Sequence, residues 1–353
     1  MLRRCTPLGL FLAGLGVAVW IVRAVGWPAV RANFAAIGWW FLGLVALYGL
    51  AQFAFLAGWW IVIERRLRSA GLLRLFGVYL AGDSVNYLVP WGNLAGEPVK
   101  AGLLRETWGM GQALTSITVH KHAELLAQWV FMAGGTAVAL FHFDVPAPVT
   151  LAAVAVLAGL GGSLLFVTWT LRRGTFLPVL NRLAAWKPLA ARLLRHRAAA
   201  EALDGRLRTF YREEGPRFAA ATGLCLVGWC GGLLETYIVL RLLSPGHGWA
   251  TALAVEALAM TLNNLFLFIP GRVGSAEGVR VGVFLLLGLP AAQGVAYGIV
   301  RRGRELIWFV PGLLVLLKRQ AGWLGQVWGP APARGESSRE PAAAATFSGA
   351  DRG

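Results

Sequence analysis

Glu97 and Lys100 stand three residues apart, and so do Glu277 and Arg280. On a helix that spacing puts a carboxylate and a cation on one face. Two more such pairs follow, Lys121 with Glu124 and Arg302 with Glu305. Cations arranged in this way can hold phosphate or another anionic group through charge-assisted hydrogen bonds, while the carboxylates keep them charged and positioned when nothing is bound. The eight residues form two copies of one unit. Pro90 precedes Glu97 by 7 residues and Lys100 by 10, and Pro270 precedes Glu277 and Arg280 by the same intervals. Glu124 then lies 34 residues after Pro90, and Glu305 lies 35 after Pro270. Asn86 and Asn264 precede the two prolines, glycines (Gly92, Gly96, Gly271, Gly274) fill the turns, and Arg272 sits in the second one. We take Asn86, Glu97, Lys100, Lys121, Glu124, Asn264, Arg272, Glu277, Arg280, Arg302 and Glu305 as candidate binding residues. As a structural alternative, the two i,i+3 pairs on the longer helices do no more than hold helices together.

Catalytic chemistry finds little to work with. His120 and His122 in "HKHAE" are two apart, so on a helix they point to different sides and do not chelate one ion. There is no G-x4-G-K-[ST], no H-E-x-x-H and no G-x-S-x-G, which removes support for ATP hydrolysis, zinc proteolysis and α/β-hydrolase chemistry. We expect no metal and no cofactor. Cys5, Cys225 and Cys230 form no disulfide framework, and the last two read as small packing residues in an apolar helix. Glu235 and Glu256, on successive apolar segments, are candidate proton or cation coupling groups, or else partners in an inter-helix hydrogen bond. Asp83 and Asn86 either face a ligand or satisfy backbone groups freed where a helix breaks.

These side chains must be positioned inside a membrane. The chain is 57% hydrophobic and 14% charged, with mean hydropathy +0.61, and several windows exceed the roughly 18 apolar residues that span hydrocarbon. The predicted spans are Leu8–Val22, Ile37–Ile63, Gln112–Phe141, Pro148–Leu171, Phe218–Leu240 and Ala292–Leu317. Two further apolar pieces, at about 72–90 and 249–270, are each interrupted by Gly and Pro. A charge inside a span costs about 2.5–3.5 kcal/mol. Lys121, Glu124, Glu235, Glu256, Arg301, Arg302, Arg304 and Glu305 therefore must pair or face a wet cavity, where a surplus of Arg and Lys would receive the anion.

Charge placement sets the topology. The loop at 64–74 carries Arg65, Arg66, Arg68 and Arg74, and the loop at 172–217 carries 11 Arg or Lys against 4 acids, so the positive-inside rule makes both cytoplasmic. The parity of the spans then holds only if each interrupted piece dips in and returns on its own side. That gives an all-α polytopic integral membrane protein with about six spans and two inverted re-entrant hairpins. The membrane domain covers 1–318, with repeat 1 at about 72–141 and repeat 2 at about 249–318, followed by a disordered cytoplasmic tail at 319–353. Broken helices meeting from opposite faces are a recurring plan for transporters. The net charge of +16 reads as positive-inside topology and attraction to anionic lipid at the basic loop, with no nucleic-acid partner. The tryptophans read as interfacial anchors and packing, for example Trp39, Trp40, Trp59 and Trp60 at the ends of the second span.

The chain resembles the flippase-like transmembrane domain family, named for the membrane part of lysylphosphatidylglycerol synthase. The likeness spans about residues 8–318. It is carried by "NYLVPWGNLAGEPVKAGLL", "ELLAQWVFMAGG" and "FIPGRVGSAEGVRVGVFLLLGLP…YGIVRRGRELIWFVPGLL". "GGLLETYIVLRLL" and "AVEALAMTLNN" are similar to its hopanoid-biosynthesis branch. The resemblance implies a lipid transporter that moves a polar-headed, anionic or aminoacylated lipid between the leaflets of the bacterial inner membrane, both termini being cytoplasmic. The soluble synthase domain is not expected. Further partners would be a second copy or a lipid-biosynthesis enzyme. The alternatives are a membrane-embedded head-group transferase, or a recruiting partner of such a pathway.

Overall fold

The spacing of apolar residues dictates long helices, and long helices are what form. A computed structural model describes residues 27–88, 94–174, 197–266 and 274–328, with 178 and 182 as single positions. The span Leu8–Val22, the turn residues Pro90, Gly92, Pro270, Gly271 and Arg272, most of 175–196 and the tail from 329 lie outside them. The described residues hold eleven α-helices: α1 Trp27–Ile37, α2 Trp40–Val62, α3 Leu72–Leu88, α4 Gly96–Trp108, α5 Met110–His142, α6 Ala147–Arg173, α7 Arg197–Glu213, α8 Gly215–Leu243, α9 Trp249–Asn263, α10 Ser275–Leu286 and α11 Ala291–Trp328. Short 3-10 turns follow α2 and α9, at Arg65–Ala70 and Asn264–Phe266. The chain divides into two compact units, Met1–Val315 and Leu316–Gly353, and the contacts described below lie within the first.

Four of these helices, α2, α5, α6 and α8, are long and apolar enough to cross a membrane. They match four of the predicted spans, and the molecule is an all-α polytopic membrane protein. Two expectations shift. The span predicted from Ile37 starts at Trp40, because Gly38 takes φ +46 and breaks the helix there. The last predicted span is helical within α11, and its middle carries Arg301, Arg302, Arg304 and Glu305, too many charges for a simple apolar crossing.

The interrupted pieces fold as helical hairpins. α3 and α4 pack side by side and approach closely where glycine meets glycine: a Cβ on Gly96 would stand 2.0 Å from the Gly82 carbonyl oxygen. Asn86 closes the turn, its Oδ1 accepting a 2.7 Å hydrogen bond from the Gly96 amide at the start of α4. That is the backbone-satisfying role weighed for this residue: it meets an amide that the start of a helix leaves without an intrahelical partner. α9 and α10 pack together likewise. At the start of α10, the Glu277 carboxylate accepts from the Gly274 amide at 2.7 Å and so caps the helix.

The units α3–α4–α5 and α9–α10–α11 embrace each other reciprocally. α5 packs on α9, with Thr136 and Thr261 hydroxyls 3.3 Å apart. α11 packs on α3 around Pro311–Gly312, where a Cβ on Gly312 would meet the Leu80 carbonyl at 2.2 Å. The Ser84 hydroxyl donates to the Phe309 carbonyl at 3.0 Å. α8 lies against α2, α5 and α9 and closes the bundle.

The basic loop at 172–217 contains a helix that was not expected. α7 buries Leu203 and Leu207 against α5 and α6 and exposes Arg197, Arg206, Arg208 and Arg212. Burial pushes the Tyr211 hydroxyl above its ordinary range, so it stays protonated and donates to His122 Nδ1 at 2.6 Å. His122 Nε2 then donates to the Thr168 hydroxyl at 2.9 Å, whose own hydrogen goes to the Leu164 carbonyl.

Candidate functional site

The two hairpins and the long helices that follow them bring the predicted acid–base pairs together, with the same pattern in each unit. In the first, Glu97 Oε1 lies 3.2 Å from Lys100 Nζ on its own helix and 3.7 Å from Lys121 Nζ on α5. Lys121 reaches onward to Glu124 at 2.9 Å. In the second, Glu277 Oε1 lies 4.0 Å from Arg280 NH1 on its own helix and accepts from Arg302 Nε on α11 at 2.7 Å. Arg302 reaches onward to Glu305 at 3.5 Å. Each hairpin carboxylate is thus shared between two cations, and one of those cations is shared with a second carboxylate.

The units also touch through this network. The Arg302 guanidinium donates to the Tyr87 hydroxyl, at the end of α3, at 3.1 Å, and Tyr87 packs on Phe309. Lys100 is held between rings, its Nζ 4.9 Å from the Tyr79 centroid and 5.8 Å from that of Trp59. Of the two roles read for the tryptophans, anchor and packing, Trp59 takes the second: it is fully buried and donates to Ser116 Oγ. Trp39, Trp40 and Trp60 keep exposed edges.

The expected surplus of cation is absent from the described residues, outside which Arg272 lies. Among the described residues, all six embedded Lys and Arg side chains (Lys100, Lys121, Arg280, Arg301, Arg302 and Arg304) lie within 4.0 Å of a carboxylate. Unpaired charge would cost too much here, so the site is balanced. What it keeps is spare donor capacity. The NH1 of Arg280, in a residue only 8% exposed, is buried without a hydrogen-bond partner. Glu97, Glu277, Arg302 and Glu305 meanwhile keep side-chain edges 13–21% exposed.

Glu235 and Glu256 are brought into the same region, each taken up by an arginine of α11. Glu235 accepts from Arg304 Nε at 2.6 Å, and the guanidinium sits 3.9 Å above the Tyr48 ring. Glu256 Oε2 accepts from Arg301, from the Tyr297 hydroxyl at 2.9 Å and from the Thr236 hydroxyl at 3.0 Å. Asn264 stands apart from the ion pairs, donating to the Met260 carbonyl at 2.9 Å and to Met132 Sδ. Arg272 lies outside the described residues. The two histidines part as expected: His120 meets the Phe55 carbonyl and Cys225, while His122 faces α7. Cys225 is buried and Cys230 exposed, both as free thiols.

Several network members escaped the reading of the sequence. Tyr48, Tyr87 and Tyr297 look like ordinary aromatic residues in apolar segments, yet their hydroxyls or rings complete the cation shells. Gln52 was a findable signal: an amide in the middle of an apolar span has to meet a polar partner. It donates to Asp83 Oδ2 at 3.1 Å.

A sequence-family model described as lysylphosphatidylglycerol synthase TM region matches residues 8–312. No curated protein and no solved structure matches the chain.

Proposed function

The chain belongs to the family of the lysylphosphatidylglycerol synthase TM region, and on that premise we propose that it moves a polar-headed lipid between leaflets. The membrane would be the bacterial plasma membrane, with both termini in the cytoplasm. The observation that carries this reading is the pair of matching constellations, each built on a carboxylate shared between two cations. A shared carboxylate can yield one cation to an incoming phosphate without leaving either charge buried alone, an exposure that would cost about 3–5 kcal/mol. Arg280 is the natural first contact, since its NH1 has no hydrogen bond to give up. Lys100, Lys121 and Arg302 would receive the anionic group in turn. Glu97, Glu124, Glu277 and Glu305 would hold those cations in the empty state and meet the amine of an aminoacylated head group. The acyl or polycyclic tail would stay in lipid throughout. At the cytoplasmic surface the exposed arginines of α7 would gather anionic lipid.

The test uses the full chain in liposomes carrying fluorescent NBD-phosphatidylglycerol, with dithionite quenching as the measure of leaflet exchange. Wild-type protein should expose the inner-leaflet probe. Arg280→Ala and Glu277→Gln should abolish exchange at normal expression, while Arg212→Ala on α7 leaves it unchanged. Normal exchange by both site variants would remove the assignment.

A further inference from the structure

We infer that Asp83 is a proton-binding site, loaded from water on one side of the membrane and unloaded on the other as the lipid head group crosses. This inference rests on the transport reading above. It comes from how the embedded carboxylates are partnered. Glu97, Glu124, Glu235, Glu256, Glu277 and Glu305 each have an Arg or Lys within 4.0 Å. Among the described residues Asp83 has none at that distance, and its hydrogen-bond donor is the neutral amide of Gln52. A carboxylate clamped by a guanidinium has its charge compensated by protein. One held by an amide in low dielectric needs a proton or a bound cation.

The surroundings of Asp83 suit a proton. From α2, Gln52 Nε2 also lies 3.3 Å from the Tyr48 hydroxyl. One turn back on α3, the Tyr79 hydroxyl donates to Gln52 Oε1 at 3.5 Å. From α4, Lys100 runs past the adjacent Gly82, and beyond hydrogen-bond reach its ammonium is the charge that acts most on Asp83, followed by Glu124 and Lys121 of α5. From α11, Arg304 lies beyond Tyr48, paired with Glu235. The Gln52 amide and two tyrosines thus connect Asp83 to Lys100 of the first constellation and to the Arg304–Glu235 pair. Gln52 and Ser84 are sealed at 3% exposure, whereas Asp83 keeps an accessible edge.

The charges agree. Lys100 and Lys121 balance Glu97 and Glu124, and the four arginines 280, 301, 302 and 304 balance Glu235, Glu256, Glu277 and Glu305. Among these described groups, ionised Asp83 is the one net charge. An anionic head group docking at Arg280 adds a second negative charge, and one proton taken up by Asp83 offsets it. A hydronium O–H bond breaks as the carboxyl O–H forms, and the reverse exchange with water releases the proton on the far side. Lipid and proton cross together.

Two measurements test this. In pH-difference infrared spectra of the purified protein, wild type should show a titrating carboxylic-acid C=O band that Asp83→Asn removes and Glu256→Gln leaves in place. Should Asp83→Asn not fold, Gln52→Leu should shift the same band. A band that survives Asp83→Asn, ignores Gln52→Leu or vanishes with Glu256→Gln overturns the assignment. In vesicles containing NBD-phosphatidylglycerol, one pH unit should bias transfer up to about tenfold for one proton per lipid. Asp83→Glu should keep that bias, and a sodium gradient that replaces the proton gradient overturns the proposal. An infrared band at Asp83 without lipid exchange would sink the transport reading and leave the proton site standing. Exchange without the band would do the opposite.

Discussion

Arg304 and Glu235 offer the sharpest way to separate a pair that holds the bundle from pairs that meet the lipid. Arg304 is 1% exposed, donates to Glu235 Oε1 at 2.6 Å and stacks 3.9 Å above Tyr48. Arg304→Met leaves the Glu235 carboxylate buried and uncompensated, which costs about 3–5 kcal/mol. Glu235→Leu strands the guanidinium at a similar cost. If the two effects were independent, the double variant would lose about 6–10 kcal/mol, more than most proteins have. Replacing both charges with apolar groups instead removes the desolvation penalty along with the attraction, so the double variant should lie near wild type. Its residual loss is the cation–π contact with Tyr48, about 2 kcal/mol. Denaturant titration of the detergent-solubilised protein, followed by tryptophan fluorescence, measures all four corners of the cycle. Leaflet exchange should survive in this double variant. It should not survive in Glu277→Gln combined with Arg302→Met, which removes one charge of each sign in the same way. Additivity within about 0.5 kcal/mol would refute the coupling, and exchange in both doubles would refute the distinction.

Three further outcomes follow from the same contacts. Gly96→Leu should block folding, because a side chain there meets the Gly82 backbone, while Gly102→Ala on the same helix meets nothing within 4 Å and should gain up to about 1 kcal/mol in the same titration. Tyr211→Phe should lower stability by about 1 kcal/mol through the lost His122 bond, and unchanged stability would show that α7 is anchored otherwise. Arg302→Lys should cut exchange by about tenfold, since one ammonium cannot reproduce the forked contacts to Glu277 and Tyr87, and wild-type exchange would contradict that geometry.

Much of this architecture could be read from residue types. Gly and Pro set between apolar runs predicted the hairpins, and the i,i+3 spacings predicted which charges pair along each helix. Those signals are local, so sequence spacing carries them. The balance of the site was harder to see, because it depends on α8 and α9 delivering Glu235 and Glu256 to arginines on α11, contacts of long sequence separation. α7 was hidden by the charge around it: 172–217, with its eleven basic residues, read as a loop, though Leu203, Leu207 and Tyr211 recur at helical spacing. Asp83 was left between two roles, since only the packing of α2 on α3 shows that an amide, and no cation, hydrogen-bonds to it.

The central claim, that two balanced acid–base constellations hold a polar-headed lipid, is tested most directly by mass spectrometry of the lipids that stay bound through purification. Wild-type protein should retain a distinct polar-headed lipid that the Arg280→Ala variant has lost. The same lipids in the same amounts on both proteins would contradict the account.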